Sequence, residues 1–188
     1  MTLFLILAPF ATFASLMVLT TIKISLMAGA AVALALVLRD MVKGRPIKML
    51  TAGALVIFAS LATYTMIAAD ISPTSVRLAV DGSVLAIALG SIALRKPFTL
   101  QHAREVVDAD TAKLPRFVRT NYILTWVWSA AFVLMLAADI VAIYLPSMPL
   151  WVGAAIAFAA RNSATYFTQW YPKHVRAGSA ASARTAAA

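Results

Sequence analysis

The sequence contains no cysteine. Disulfides, thiolate metal sites and cysteine nucleophiles are excluded together, and the redox compartment is left open. Charge is scarce as well: 12% of the 188 residues are Asp, Glu, Lys or Arg, about half the share of a soluble domain. Histidine occurs at positions 102 and 174 alone. A pair such as His102 and Glu105, three apart, can share a helix face, but a metal site needs more donors than these. There is no glycine-rich phosphate loop and no Ser, His and Asp grouping. No metal, no cofactor and no catalytic residue is expected.

What the chain has instead is apolar bulk, 62% of its residues. A water-soluble domain of this length buries only about two-thirds of its surface, too little to hide so much apolar area. A bilayer removes the difficulty by acting as the solvent. The expected fold is therefore all-α, a polytopic membrane bundle of about six transmembrane helices.

A spanning helix needs ~20 apolar residues. The first run, Thr2 to Leu38, is broken only by Lys23. As one helix it would extend ~55 Å, far beyond a hydrocarbon core of ~30 Å, so it reads as two spans, about 2–20 and 22–38, with a single tilted helix as the alternative. No basic segment precedes it, and it is too long for the core of a signal peptide, so it reads as a retained membrane segment. Further spans are expected at about 47–69, 74–94, 120–145 and 149–171. Turns fall at Ile71-Ser72-Pro73 and Pro146-Ser147-Met148-Pro149. Residues 173–188, rich in Ala, Ser and Thr, read as a disordered tail.

The net charge of +9 belongs to the loops. Arg39, Lys43, Arg45 and Lys48 follow the second span. Arg95, Lys96, Arg104, Lys113, Arg116 and Arg119 follow the fourth. Lys173, Arg176 and Arg184 follow the sixth. With six spans all of these share one side, and only Lys23 and Arg77 fall on the other. Basic loops stay in the cytoplasm, so both termini are expected there. Spread over three membrane-flanking segments, these charges do not suggest nucleic acid.

Ionisable groups inside spans are expensive, ~2.5–3.5 kcal/mol each at the centre even on the mildest scales. Arg77, Asp81, Asp139 and Arg161 qualify. Arg77 and Asp81, four apart, share a helix face, and Asp81 and Asp139 both lie about 10 Å from the outer end. The four are expected to form a buried polar network, with Tyr64, Thr65, Asp70 and Asn162 nearby. Its role is either a binding site or ion pathway, or ion pairing that fixes helix register. Small residues, Gly82, Ala86 and Gly90 in the fourth span and Gly153, Ala157, Arg161 and Ala164 in the sixth, mark candidate helix contacts.

Residues 97–119 form the longest polar segment. Leu100, Ala103, Val106, Val107 and Leu114 recur near helical spacing, with Thr99 as a candidate cap. Such an amphipathic helix would present His102, Arg104, Glu105, Lys113, Arg116 and Arg119 to anionic lipid or to a partner, or would simply connect two spans.

With the spans placed, the chain resembles the intracellular septation protein A family of small bacterial inner-membrane proteins. The resemblance rests on the basic linker ending in Lys48-Met49, the fourth span ending in Lys96-Pro97, the loop Pro97-Phe98-Thr99-Leu100-Gln101-His102-Ala103-Arg104-Glu105, and Trp126, Trp128 and Ala138-Asp139-Ile140 in the fifth span. It covers roughly residues 35–172. Departures are Leu124-Thr125 where the family tends to have Leu-Asn, and Asp139-Ile140 where it has Asn-Ile. The resemblance implies a non-enzymatic protein of septation and envelope maintenance that acts through other inner-membrane proteins, without a cofactor. Two other readings stand beside it. One is a small transporter or channel that uses the Arg/Asp cluster and dimerises, since six helices suit a half-unit. The other is a membrane enzyme acting on lipid, which needs a convergent site that the sequence does not display.

Overall fold

The computed structural model describes residues 2–68, 71–145 and 150–186. These residues are helical, with short connections and no strand among them. The helices are α1 (Thr2–Leu19), α2 (Ile22–Val42), α3 (Met49–Ile67), α4 (Pro73–Ala93), the short α5 (Phe98–Ala103), α6 (Pro115–Tyr144) and α7 (Leu150–Ala186), with one 3-10 turn at Thr111–Lys113. Four of them, α2, α3, α4 and α6, are long and apolar enough to cross a membrane, with mean hydropathies of 1.9, 1.8, 1.7 and 2.0.

The long N-terminal run divides at Thr20–Thr21. The Thr21 hydroxyl accepts a hydrogen bond from the Ile24 amide (3.4 Å), which caps α2 and turns it back along α1. At the other end of the bundle α2 and α4 close with the same device. Past α2, the Arg45 amide donates to the Asp40 carbonyl and the Gly44 amide to that of Met41. Past α4, Lys96 donates to Ser91 and Arg95 to Ile92. Both ends are Schellman motifs, which need a left-handed residue. Gly44 (φ 63°) takes that conformation easily, whereas Arg95 (φ 54°) takes it against steric resistance.

Packing runs α1–α2–α3–α4–α6–α7, each helix lying against the next. One core half centres on Phe58, held between Phe10 and Phe13 at ring distances of 5.3 and 5.4 Å. Gly29 makes room for it: a Cβ there would lie 3.1 Å from the Phe58 ring. The other half centres on Trp128 and Phe132, packed by Ala160 and Ala164 of α7. Trp128 Nε1 donates to the Thr168 hydroxyl (3.0 Å) and so fastens α6 to α7.

Three sequence expectations change here. The amphipathic helix expected over 97–119 is only one and a half turns long. Thr99 does not cap it; Pro97 occupies that position, and the Thr99 hydroxyl instead reaches the Asn121 carbonyl at 2.7 Å. The segment expected as a disordered tail continues α7 through Pro172 to Ala186, in keeping with the high helix propensity of its alanines. Of the Gly82, Ala86 and Gly90 stripe, Gly82 meets α6, 3.6 Å from Leu136 at its Cβ position, whereas Gly90 has open space and Ala86 is exposed; the buried face of α4 is Val76, Val80, Val84, Ala88 and Ser91. Asp70 and the turn at 146–149 lie outside the described residues.

Candidate functional site

The charged residues collect at the two ends of the bundle. At one end, Arg77 of α4 reaches across to Asp139 of α6, with 3.1 Å between Nη2 and Oδ1. Asp139 is buried and its Oδ2 has no hydrogen-bond partner among the described residues. Asp81, one turn along α4 from Arg77, brings its carboxyl against Asp139. Three of the four residues expected to form a polar network therefore do meet.

Arg161 does not join them. Ala160 and Ala164 centre the contact of α7 with α6, and Arg161 sits at its edge, about 100° around the helix from Ala160 and about 60° from Ala164. It is exposed together with Asn162. Tyr64 is likewise 58% exposed, and the buried Thr65 hydroxyl turns back to its own helix at Ala62.

The opposite end carries a second charge cluster, which sequence reasoning missed. Lys48, at the entrance to α3, extends its ammonium between Asp40 of α2 (2.6 Å to Oδ2) and Glu105 beyond α5 (2.8 Å to Oε1). Lys48 and Asp40 are almost fully buried, their side chains 4% and 3% exposed. Arg39 adds a contact to Asp40 at 2.9 Å, and Arg45 lies 3.9 Å from Glu105. The contact to Glu105 is an ion pair without an aligned hydrogen bond, since neither carboxylate oxygen has a well-directed donor. In sequence these residues read as loop charges that set topology. The available signal was Asp40, the one acid among the basic residues of segment 39–48.

The cluster anchors α5 from one side, and hydrogen bonds anchor it from the others. Gln101 accepts from the Met49 amide (2.9 Å) and donates to the Lys96 carbonyl (2.8 Å). Ser91 accepts from the Phe98 amide at 3.1 Å. The Thr99 and Thr125 hydroxyls lie 2.7 Å apart and both reach the Asn121 carbonyl. Thus the basic linker after α2, the segment after α4 and the far part of α7 share one end of the bundle.

Of the residues expected to form a partner or lipid surface, Arg104, Lys113, Arg116 and Arg119 are exposed. Glu105 turns inward to Lys48, and His102 is buried, 5% exposed. His102 faces inward because α5 lies against α6 and buries Phe98, Thr99, Leu100 and His102 together. Its Nδ1 is 2.8 Å from the Phe98 carbonyl. A carbonyl can only accept, so Nδ1 carries the proton and Nε2 presents a lone pair. Nε2 is buried and has no partner among the described residues. Burial, with the Lys48 ammonium adding to it, outweighs the pull of the Phe98 carbonyl, Glu105 and Asp40 and pushes the imidazole pKa down to about 4. The ring is therefore neutral at pH 7.

His102 forms part of the wall of a cavity of about 720 Å³ between α5, the following loop, the first turns of α6 and the far part of α7. That volume lies within the range of small-molecule sites, about 300–1,000 Å³. Val106, Val107, Phe117 and Leu124 supply much of the wall, with Thr99, Asn121 and Thr168 as polar points within it. Asp108 and Arg116 stand at the exposed rim. The Thr111 amide (2.8 Å) and hydroxyl (2.7 Å) hold the Asp108 carboxyl below the usual range. Among the described residues there is no group of three or more His, Asp or Glu able to hold a metal.

Comparison of the chain with family models, with curated proteins and with solved structures returns no match.

Proposed function

We propose that the chain is a six-span, non-enzymatic protein of the bacterial inner membrane, related to the septation protein A family, with its basic end in the cytoplasm. It works in envelope maintenance by associating with other membrane proteins. In this reading α1 and α7 join α2, α3, α4 and α6 to make six spans, and their packing against α2 and α6 supports counting them so.

The observation that carries the proposal is Arg161. It lies roughly 17 Å from the start of α7, close to the middle of a ~30 Å core, and its side chain is exposed. No ion pair reaches it among the described residues. Charged side chains at that depth face a protein interior and are paired, so the outer face of α7 becomes interior when a partner helix with a carboxylate at matching depth docks there. Phe158, three residues before Arg161 and exposed, supplies aromatic surface beside it.

A photo-crosslinking residue placed at Phe158 tests this in native membranes. A specific crosslinked partner is expected, and Arg161→Leu is expected to reduce its yield about tenfold. Absence of any crosslink from this face, or a yield unchanged by Arg161→Leu, would refute the proposal.

A further inference from the structure

The cavity between α5, the first turns of α6 and the far part of α7 asks for opposite chemistry at its rim and in its depth. Cations dominate the rim. Arg116 lines it, and Arg104, Lys113, Arg119 and Lys173 are exposed, each next in sequence to a residue of the wall. The acids there are Asp108 and Asp110. Asp108 spends its carboxylate on the Thr111 amide and hydroxyl, and Asp110 lies 4.0 Å from Lys113. Arg116 has no ion pair among the described residues. It stands in the first turn of α6, which has no acidic residue and no side-chain cap, so the positive end of the helix dipole adds to the guanidinium. Such a rim selects an anion. Below it, Val106, Val107, Phe117 and Leu124 make an apolar wall. The polar side chains within that wall donate elsewhere: Thr99 to the Asn121 carbonyl, Asn121 to that of Phe117, and Thr168 to that of Ala164. His102 offers nothing to an occupant, since Nδ1 is bonded to Phe98 and Nε2 is closed off from the cavity space. An apolar body is therefore favoured by burial, and a polar one would lose its water without replacement.

We propose that this cavity holds one acyl chain of an anionic phospholipid, with the phosphate at Arg116. The guanidinium keeps its charge at any physiological pH and presents several N–H donors to phosphate oxygens. From Arg116 to Leu124 the cavity follows α6 for about 12 Å, so head and tail of one lipid meet the two chemistries in order. With 30 residues α6 is longer than a hydrocarbon core requires, and its charged first turns, with Arg116 and Arg119, are the part that stands at headgroup level. A bilayer supplies phosphates tethered to acyl chains at that level. The site rests on the membrane placement of α6 proposed above, but it does not depend on any partner docked on α7.

The test uses the full chain in phosphatidylcholine nanodiscs. Phosphatidylglycerol or phosphatidylcholine bearing a diazirine in one acyl chain is added at equal mole fraction to separate samples, and labelled peptides are read by mass spectrometry. The phosphatidylglycerol probe is expected to label the cavity wall, at Val107, Phe117 or Leu124, about tenfold more than the phosphatidylcholine probe. Arg116→Gln should bring the two probes to near parity there. Lys43→Gln, at an exposed site on the same end but outside the cavity, should leave their ratio unchanged. Equal labelling of the wall by the two probes in the natural chain would overturn the proposal. So would a Lys43→Gln effect as large as that of Arg116→Gln, since general surface charge would then set the preference. Stronger wall labelling by a diazirine-bearing palmitate than by the phosphatidylglycerol probe would make the ligand a free fatty acid and overturn it too. Labelling of α2 and α3 by both probes alike, with none in the cavity, would sink the cavity site and leave the membrane reading standing; no labelling of any helix would sink both. The comparison of the two probes needs no variant, so a poorly folding substitution leaves the test intact.

Discussion

Replacing Lys48 with Met is the sharpest test of how the basic end is held together. Met is similar in length, so little cavity is created and the change is mainly electrostatic. In the natural chain the ammonium touches Asp40 at 2.6 Å and Glu105 at 2.8 Å. Without it, Asp40 retains Arg39 at 2.9 Å. Glu105 retains only Arg45, at 3.9 Å on a side chain 45% exposed to water. The substitution thus leaves one buried carboxylate nearly unpaired, and removing one partner of a buried ion pair costs about 3–5 kcal/mol. Arg45 can close part of the gap, which puts the expected loss near the lower figure. Unfolding in mild detergent, followed by circular dichroism, measures it. Adding Glu105→Gln should recover at least half of the loss, because the neutral amide removes the unpaired charge. Adding Asp40→Asn instead should recover less. A loss below about 1 kcal/mol, or no recovery with Glu105→Gln, would refute the assignment of Lys48 as the central cation of this end.

Two further outcomes are expected. The His102 pKa is depressed from the ordinary 6.5 to about 4, so between those values the unfolded chain binds more protons than the native one. The stability this ring contributes is full above pH 6.5 and is lost as pH falls toward 4, about 3 kcal/mol in all; His102→Gln should flatten that part of the pH–stability curve, and an unchanged slope would show that His102 is not its source. Arg95→Gly should stabilise the chain by about 0.5–1 kcal/mol, because glycine adopts φ 54° without the steric resistance that Arg95 meets at the end of α4; a thermal melt that shifts downward would contradict this.

The residues divide clearly between what was legible along the chain and what was not. Apolar run length and basic spacing are local properties, and they located α2, α3, α4 and α6 to within a few residues at most ends. The grouping of Arg77, Asp81 and Asp139 was accessible too, because two of them are four apart on one helix and the third lies at matching depth on another. Arg161 was not, because its exposure depends on which side of α7 faces α6. Gly153 and Ala157 do share the face of Ala160 and Ala164 that meets α6, but Arg161 sits at its edge, about 60° around the helix from Ala164, and there its side chain is exposed.

The loop after α4 shows the same limit more strongly. Its apolar spacing suggested a surface helix, and nothing local revealed that the segment folds inward, since the groups that hold it are on other elements: Ser91, Met49, Asn121 and Lys48. Composition alone determined that the chain belongs among lipid chains, because the free energy of placing apolar residues there sums residue by residue and needs no knowledge of neighbours. The partner of Lys48, the lone pair of His102 and the exposure of Arg161 were decided only by the tertiary structure. Ion pairs, hydrogen bonds and burial act over a few ångströms, and only the packed helices bring residues 40, 48 and 105 that close.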